Sequence, residues 1–183
     1  MTNLCKLRLA VLLLVLGCTV GCDQTSKHFA RTELSRIDSV ALPGGLGELR
    51  LAENPGAFLS LGDSLPRSVR LLCFTLGVGA GLLALLVHLL ASTKLMWMPF
   101  VAQAMVIAGG ASNLIDRITR QGLVTDFITI RVGPFQTGVF NVADTLVMLG
   151  VGLLVLAQWK CALRQPIKEL KTSSGPSSDD DLH

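Results

Sequence analysis

Charge is scarce in this chain: Asp, Glu, Lys and Arg make up 16% of its 183 residues, against about 25% in an ordinary soluble domain. Tyrosine is absent and half of the residues are hydrophobic, giving a mean hydropathy of +0.57. That balance excludes a water-soluble enzyme built around a single core, which would need a more polar surface to stay dispersed. The net charge of +3 is small and scattered. A basic nucleic-acid face is therefore excluded, and no nucleic-acid partner is expected.

Histidine and paired cysteine are also in short supply. Only His28, His88 and His183 occur, so zinc hydrolysis and Ser/His or Cys/His nucleophiles lack their usual partners. Cys5, Cys18, Cys22, Cys73 and Cys161 are odd in number and contain no CxxC pair. They read as small apolar residues and not as a disulfide framework or metal site. Neither a metal nor another cofactor is expected.

Long apolar runs are what the chain has in abundance. Blocks at about 7–22, 69–90, 95–111 and 142–159 are each near or above the roughly 18 residues that cross a bilayer as a helix. The first, with Lys6 and Arg8 ahead of it and Gly-Cys pairs at 17–18 and 21–22, resembles a cleavable lipoprotein signal peptide. The three later blocks argue against that reading, because a tethered soluble domain needs no further spans. Small residues at Gly77, Gly79, Ala80, Gly81, Ala102, Ala104, Ala108 and Gly109 allow helix backbones to approach closely. The expected fold is an all-α membrane protein: a four-transmembrane-helix bundle with a small extracytoplasmic β-sheet and loop region.

Lys6, Arg8, Lys94, Lys160, Arg164, Lys168 and Lys171 would share one side of such a bundle, predicting that side, with both termini, to be cytoplasmic. Arg67 and Arg70, like Lys27, fall on the other side and run against the rule. Periplasmic segments are expected at about 23–68 and 112–141. Within them, 48–51 and 123–132 read as strands. Residues 1–171 are expected to form one membrane domain, and 172–183 a disordered cytoplasmic tail.

Ionisable residues at the ends of membrane spans are functional candidates, because an Asp at a span's centre costs roughly 2.5–3.5 kcal/mol. Asp23, Asp116, Asp126 and Asp144 reach one membrane face from segments far apart in sequence, which suggests a shared site. Each has a plainer reading alone. Asn141 and Asp144 match a helix N-cap with an acid at N3, Asp116 pairs naturally with Arg117, Lys27 fits a snorkelling lysine, and Asp126 fits an exposed strand position. Taken together, two aspartates sharing one proton suit the residue types present: the ionised one accepts a proton from water, and the neutral one donates to a peptide carbonyl. That is aspartic proteolysis.

The motifs DQTSK at 23–27, ENPGAF at 53–58, GGASNLIDR at 109–117, VTDF at 124–127 and FNVAD at 140–144 occur in an order that resembles lipoprotein signal peptidase (signal peptidase II), the bacterial membrane aspartyl protease family. The resemblance covers about residues 9–160. It implies a multi-pass enzyme of the bacterial cytoplasmic (inner) membrane, with its site near the periplasmic face. Its expected substrates are diacylglyceryl-modified prolipoproteins, cleaved before the lipidated Cys, with membrane lipids as surroundings and a monomer as the working unit. Carried over by motif, Asp126 and Asp144 form the catalytic dyad. Asn54, Gly56, Ala57, Asn113, Arg117 and Asn141 bind and position substrate, while Asp23, Lys27, Asp116 and Ala143 give support. Asp116, next to Arg117, is assigned a structural ion pair and not a place in the dyad. Ser112 stands where the family usually has Gly, and Pro55 lies inside the Asn-x-Gly-Ala motif. Those departures leave one alternative, a catalytically idle paralogue that binds lipoproteins.

Overall fold

The computed structural model describes residues 3–57, 61–92 and 95–163. Phe58, Lys94, Arg164, Lys168, Lys171 and the expected tail at 172–183 lie outside them. Four helical segments are long and apolar enough to cross a membrane. They are α1 (Asn3–Glu33); a continuous run made of α2 (Arg67–Arg70), a π-helical stretch (Leu71–Gly77) and α3 (Val78–Ala91); α4 (Trp97–Thr119); and α5 (Val142–Ala162).

Two of these helices outrun their apolar blocks. Helix α1 has 31 residues and continues to Glu33, whereas the apolar run ends near 22. Helix α4 continues to Thr119, past the end of its run at 111. Neither extension contains Gly or Pro, and both bury polar side chains against each other. The extensions carry Asp23, Lys27, Asn113, Asp116 and Arg117, so these residues sit on rigid helix and not on loop.

Helix α4 is the centre of the bundle, packed against α1, α3 and α5. Its contact with α5 is close enough to demand glycine. A Cβ on Gly109 would lie 2.6 Å from the Ala143 carbonyl oxygen, and one on Gly150 would lie 2.7 Å from that of Ala102. An apolar cluster of Leu12, Leu89, Phe100, Ala104 and Ile107 fills the bundle. Leu13, Leu14, Leu72, Leu76, Leu83 and Leu149 point outward, as side chains facing lipid do. Near the start of α1, the Arg8 guanidinium donates to the carbonyls of Ser92 and Leu95 and lies over the Trp97 and Phe100 rings. It ties α1 to the turn between α3 and α4 at the end of the bundle away from the carboxylates.

At the other end is an antiparallel sheet in the order β1 (Val40–Ala41), β2 (Gly47–Asn54), β3 (Val124–Val132), β4 (Phe135–Gln136). The strand-prone stretches expected at 48–51 and 123–132 are its two long central strands. Their register pairs Ala52 with Asp126 and Asn54 with Val124, after an irregularity between Leu49 and Ala52. Ala30, Leu34 and Phe127 form a second apolar cluster that seats the sheet on the end of α1.

Candidate active site

Helix α5 begins with a capping box. The Asn141 side chain accepts from the Asp144 amide N–H at 2.9 Å, and the Asp144 carboxylate accepts from the Asn141 N–H at 3.2 Å. The cap reading of this pair is correct, and it does not compete with a functional one. The same Asn141 turns its Nδ2 to Asp126 Oδ1 at 2.6 Å. One residue thus donates to two carboxylates, with its side chain to Asp126 and its backbone to Asp144.

The remaining carboxylate oxygens are held by two more amides. Asn54 Nδ2 donates to Asp126 Oδ2 at 2.8 Å, and Asn113 Nδ2 donates to Asp144 Oδ1, also at 2.8 Å. Strand β2 delivers Asn54, strand β3 Asp126, helix α4 Asn113 and helix α5 Asp144. Asp126 is 1% exposed, so it is not an exposed strand position, and Asp144 is 9% exposed. Burial, the largest cause, raises the Asp126 pKa from 3.8 to about 7; the Asn54 hydrogen bond opposes that rise and the nearby Asp144 charge adds to it. Near neutral pH this carboxyl can occupy either form, which suits a group that takes and gives a proton.

The loop after β2 closes over the pair. Asn54 Oδ1 accepts from the Gly56 N–H at 2.8 Å, and Asn54 Nδ2 donates to the Ala57 carbonyl at 2.9 Å. From helix α4, Arg117 Nη2 donates to the Gly56 carbonyl at 2.7 Å. Its buried Nε has no partner among the described residues. Asn54, Ala57, Phe74, Asn113, Arg117, Asp126 and Asp144 line one cavity of about 160 Å³. Among the described residues no group of three His, Cys, Asp or Glu is placed to hold a metal ion.

Behind the pair lies a buried ionic cluster. Lys27 and Asp23 are both 0% exposed. The Lys27 ammonium meets Asp23 Oδ2 at 2.7 Å, Asp116 Oδ2 at 2.8 Å and Asn113 Oδ1 at 2.8 Å. Two expectations are corrected here. Lys27 does not snorkel to an interface, because three acceptors hold it inside. Asp116 makes its ion pair with Lys27 and not with Arg117, because adjacent residues on a helix project about 100° apart and do not face each other. Asp23 Oδ1 also accepts from the Ala143 N–H at 2.8 Å, so Ala143 supports the site through its backbone.

All twelve residues singled out in the sequence are therefore brought together. Three more join them: Gln24 and Thr125 were not singled out, and Ser112 was noted only as a departure from the family. Ser112 Oγ donates to Asp23 Oδ2 at 2.7 Å, and Gln24 Nε2 donates to Ser112 Oγ at 3.1 Å and to Asp116 Oδ1 at 3.0 Å. Thr125, 0% exposed, offers its N–H to Asp116 at 3.3 Å and accepts from Arg31 at 2.9 Å. Ser112 and Gln24 lie inside the quoted motifs, and their spacing from Asn113, Asp116, Asp23 and Lys27 along two facing helices was the available signal.

Comparison with known proteins shows the family of the chain. The model of the signal peptidase (SPase) II family matches residues 15–160. A lipoprotein signal peptidase of Syntrophus aciditrophicus (strain SB) is 31% identical over 153 residues, covering 82% of this chain and 93% of that protein. One of Acinetobacter baumannii is 34% identical over 154 residues, covering 84% and 82%. A solved structure of a bacterial membrane enzyme shares the fold, with a TM-score of 0.73 at 23% identity over 86% of this chain and 93% of that one. With four spans, a paired-aspartate site and these relatives, the chain belongs to the lipoprotein signal peptidase (signal peptidase II) family of bacterial membrane aspartic peptidases.

Proposed function

We propose that Asp126 and Asp144 are the catalytic dyad with which this peptidase removes the signal peptide of diacylglyceryl-modified prolipoproteins, cutting before the lipidated Cys. The observation that carries the reading is Asn141, which donates to both carboxylates at once and so fixes them about one cavity. The ionised member takes a proton from water as that water attacks the scissile carbonyl, and the neutral member donates to the carbonyl oxygen. Collapse of the tetrahedral intermediate breaks the C–N bond, passes the first proton to the leaving amine and returns a hydroxyl proton to the second aspartate. Asn54, Asn113 and Asn141 hold the carboxylates in place. The Nε of Arg117, without a partner among the described residues, is an N–H donor for a substrate carbonyl, and Gly56 and Ala57 form a wall over the peptide.

The same reading orients the molecule. The dyad end faces the periplasm, and Lys6, Arg8 and Lys160 mark the cytoplasmic side with both termini. One domain and one chain suffice, because every residue of the site comes from a single copy. Ser112 and Pro55 remove no reacting group, which favours the active enzyme over an idle binding paralogue. The site's depth fits a lipid-anchored substrate, whose acyl chains stay in the bilayer while the peptide reaches the carboxylates.

The test is incubation of the purified full-length protein with a synthetic diacylated prolipoprotein and with its Cys→Ser counterpart, followed by intact mass measurement. A single cut on the N-terminal side of the lipidated Cys, absent from the counterpart, is the expected result. Binding without cleavage would support the idle paralogue instead.

A further inference from the structure

Another cavity, of about 490 Å³, opens between the start of the 67–91 span and the end of α4, walled by Arg67, Arg70, Arg120, Thr119, Gln121 and Leu123. Among the described residues, no carboxylate belongs to its wall. It lies at a membrane edge, since Arg67 opens one span and Thr119 closes another. That is the edge where the dyad sits.

The three arginines differ in how they are engaged. Arg70 Nη1 is anchored by the Asp63 carbonyl at 2.6 Å and the Leu65 carbonyl at 3.0 Å. Arg120 Nη2 pairs with Glu53 at 2.6 Å, while its Nε is buried with no acceptor among the described residues. Arg67 is exposed and its side chain makes no bond to the described residues. One held guanidinium, one half-satisfied and one free thus converge on a shared space. Arginines flanking spans usually mark the opposite, cytoplasmic edge, so these stand where topology gives no reason for them. A guanidinium fork matches the oxygens of a phosphate, and phosphates lie at this depth in a bilayer. Basic pockets between membrane helices bind lipid head groups in the same way.

We propose that Arg67, Arg70 and Arg120 form a binding site for the phosphate of an anionic glycerophospholipid headgroup, separate from the peptidase cavity. The full-length protein is placed in nanodiscs of phosphatidylcholine mixed with phosphatidylglycerol, and the lipid it retains is measured by native mass spectrometry. Wild type is expected to retain phosphatidylglycerol in preference. Arg67→Gln, which removes no bond to the described residues, lowers that preference about fivefold, the factor for one basic residue near an anionic surface, and Arg67→Lys, which keeps the charge and loses the fork, restores part of it. A second arm adds inorganic phosphate to pure phosphatidylcholine discs and follows thermal stability. Equal retention of the two lipids, or a preference that Arg67→Gln leaves intact, overturns the proposal. Stabilisation by inorganic phosphate without phosphatidylglycerol enrichment overturns the lipid as the source of the phosphate. Neither readout depends on cleavage, so failure here is distinct from failure of the dyad.

Discussion

Lys27 is a lysine with no exposed surface, and its ammonium compensates two buried carboxylates, Asp23 and Asp116. Removing it leaves like charges facing each other in a dry site, and breaking a buried pair in this way costs about 3–5 kcal/mol. Lys27→Met is therefore expected to lower the unfolding temperature in detergent markedly, measured by scanning fluorimetry or calorimetry; an unchanged transition would contradict the ionic cluster. Asp126 sets a different dependence. Its carboxyl holds its proton to about pH 7 in the folded protein against 3.8 in a solvated chain. Between those values the native state binds more protons than the unfolded state, so stability falls as pH rises through that window and the penalty is absent below it. Wild type should gain stability relative to Asp126→Asn as pH is lowered from 7 to 5, and its turnover should fall above about pH 7 as the proton shared by the pair is lost. A stability difference that does not change with pH would refute the assignment. Asp144 stood out in the sequence because a carboxylate at a span end is expensive, whereas Asp126, inside a strand-like stretch, was picked out by the VTDF motif. The Lys27–Asp116 pair was not, because sequence adjacency suggested Arg117 and only the facing of α1 and α4 reveals the true partner. Nor was Ser112, whose bond to Asp23 depends on the side chain's direction across that interface.

Helix α5 meets α4 at backbone distance, and the residue that permits it is Gly109. Its missing side chain leaves room for the Ala143 carbonyl at 2.6 Å from where a Cβ would stand. Ala143 immediately precedes Asp144, and its N–H is fixed by Asp23. Gly109→Val should push the first turn of α5 away, lowering kcat by about 100-fold, the order lost when catalytic groups are misplaced by about 1 Å. Retained turnover in a folded Gly109→Val enzyme would show that this contact does not position the dyad. The π-helical stretch Leu71–Gly77 sets another wall, since it places Phe74 at the cavity; such stretches often mark functional sites. The existence of all four spans followed from apolar runs, but their ends did not. The two helices run on past their apolar blocks while Asp23 and Lys27 of one meet Ser112, Asn113 and Asp116 of the other, a tertiary effect that hydropathy does not carry. The strands were visible as β-prone stretches. Their pairing was not, because 47–54 and 124–132 meet from far apart along the chain with an irregular register.

Seen whole, the molecule keeps its two ends distinct. One end is locked by Arg8 against the α3–α4 turn and the Trp97 and Phe100 rings. The other gathers the carboxylates, the ionic cluster and the sheet. Between them is a small-residue bundle whose outward apolar side chains suit lipid. On the proposed reading, this division lets a lipid-embedded frame hold two acids where an anchored substrate would present its peptide bond, so that binding in the bilayer would accomplish much of the alignment. The overall plan was readable from the order of the motifs against the spans, while the cavity under the 54–57 loop depends on the folding together of five separate segments. The most direct measurement of the central claim is single-turnover cleavage of a diacylated prolipoprotein by wild type, Asp126→Asn, Asp144→Asn and Asp116→Asn, each confirmed as folded. The account predicts that the two dyad variants lose on the order of 10³-fold or more in rate, whereas Asp116→Asn keeps measurable turnover and loses stability. Near-normal cleavage by folded Asp126→Asn or Asp144→Asn would contradict it.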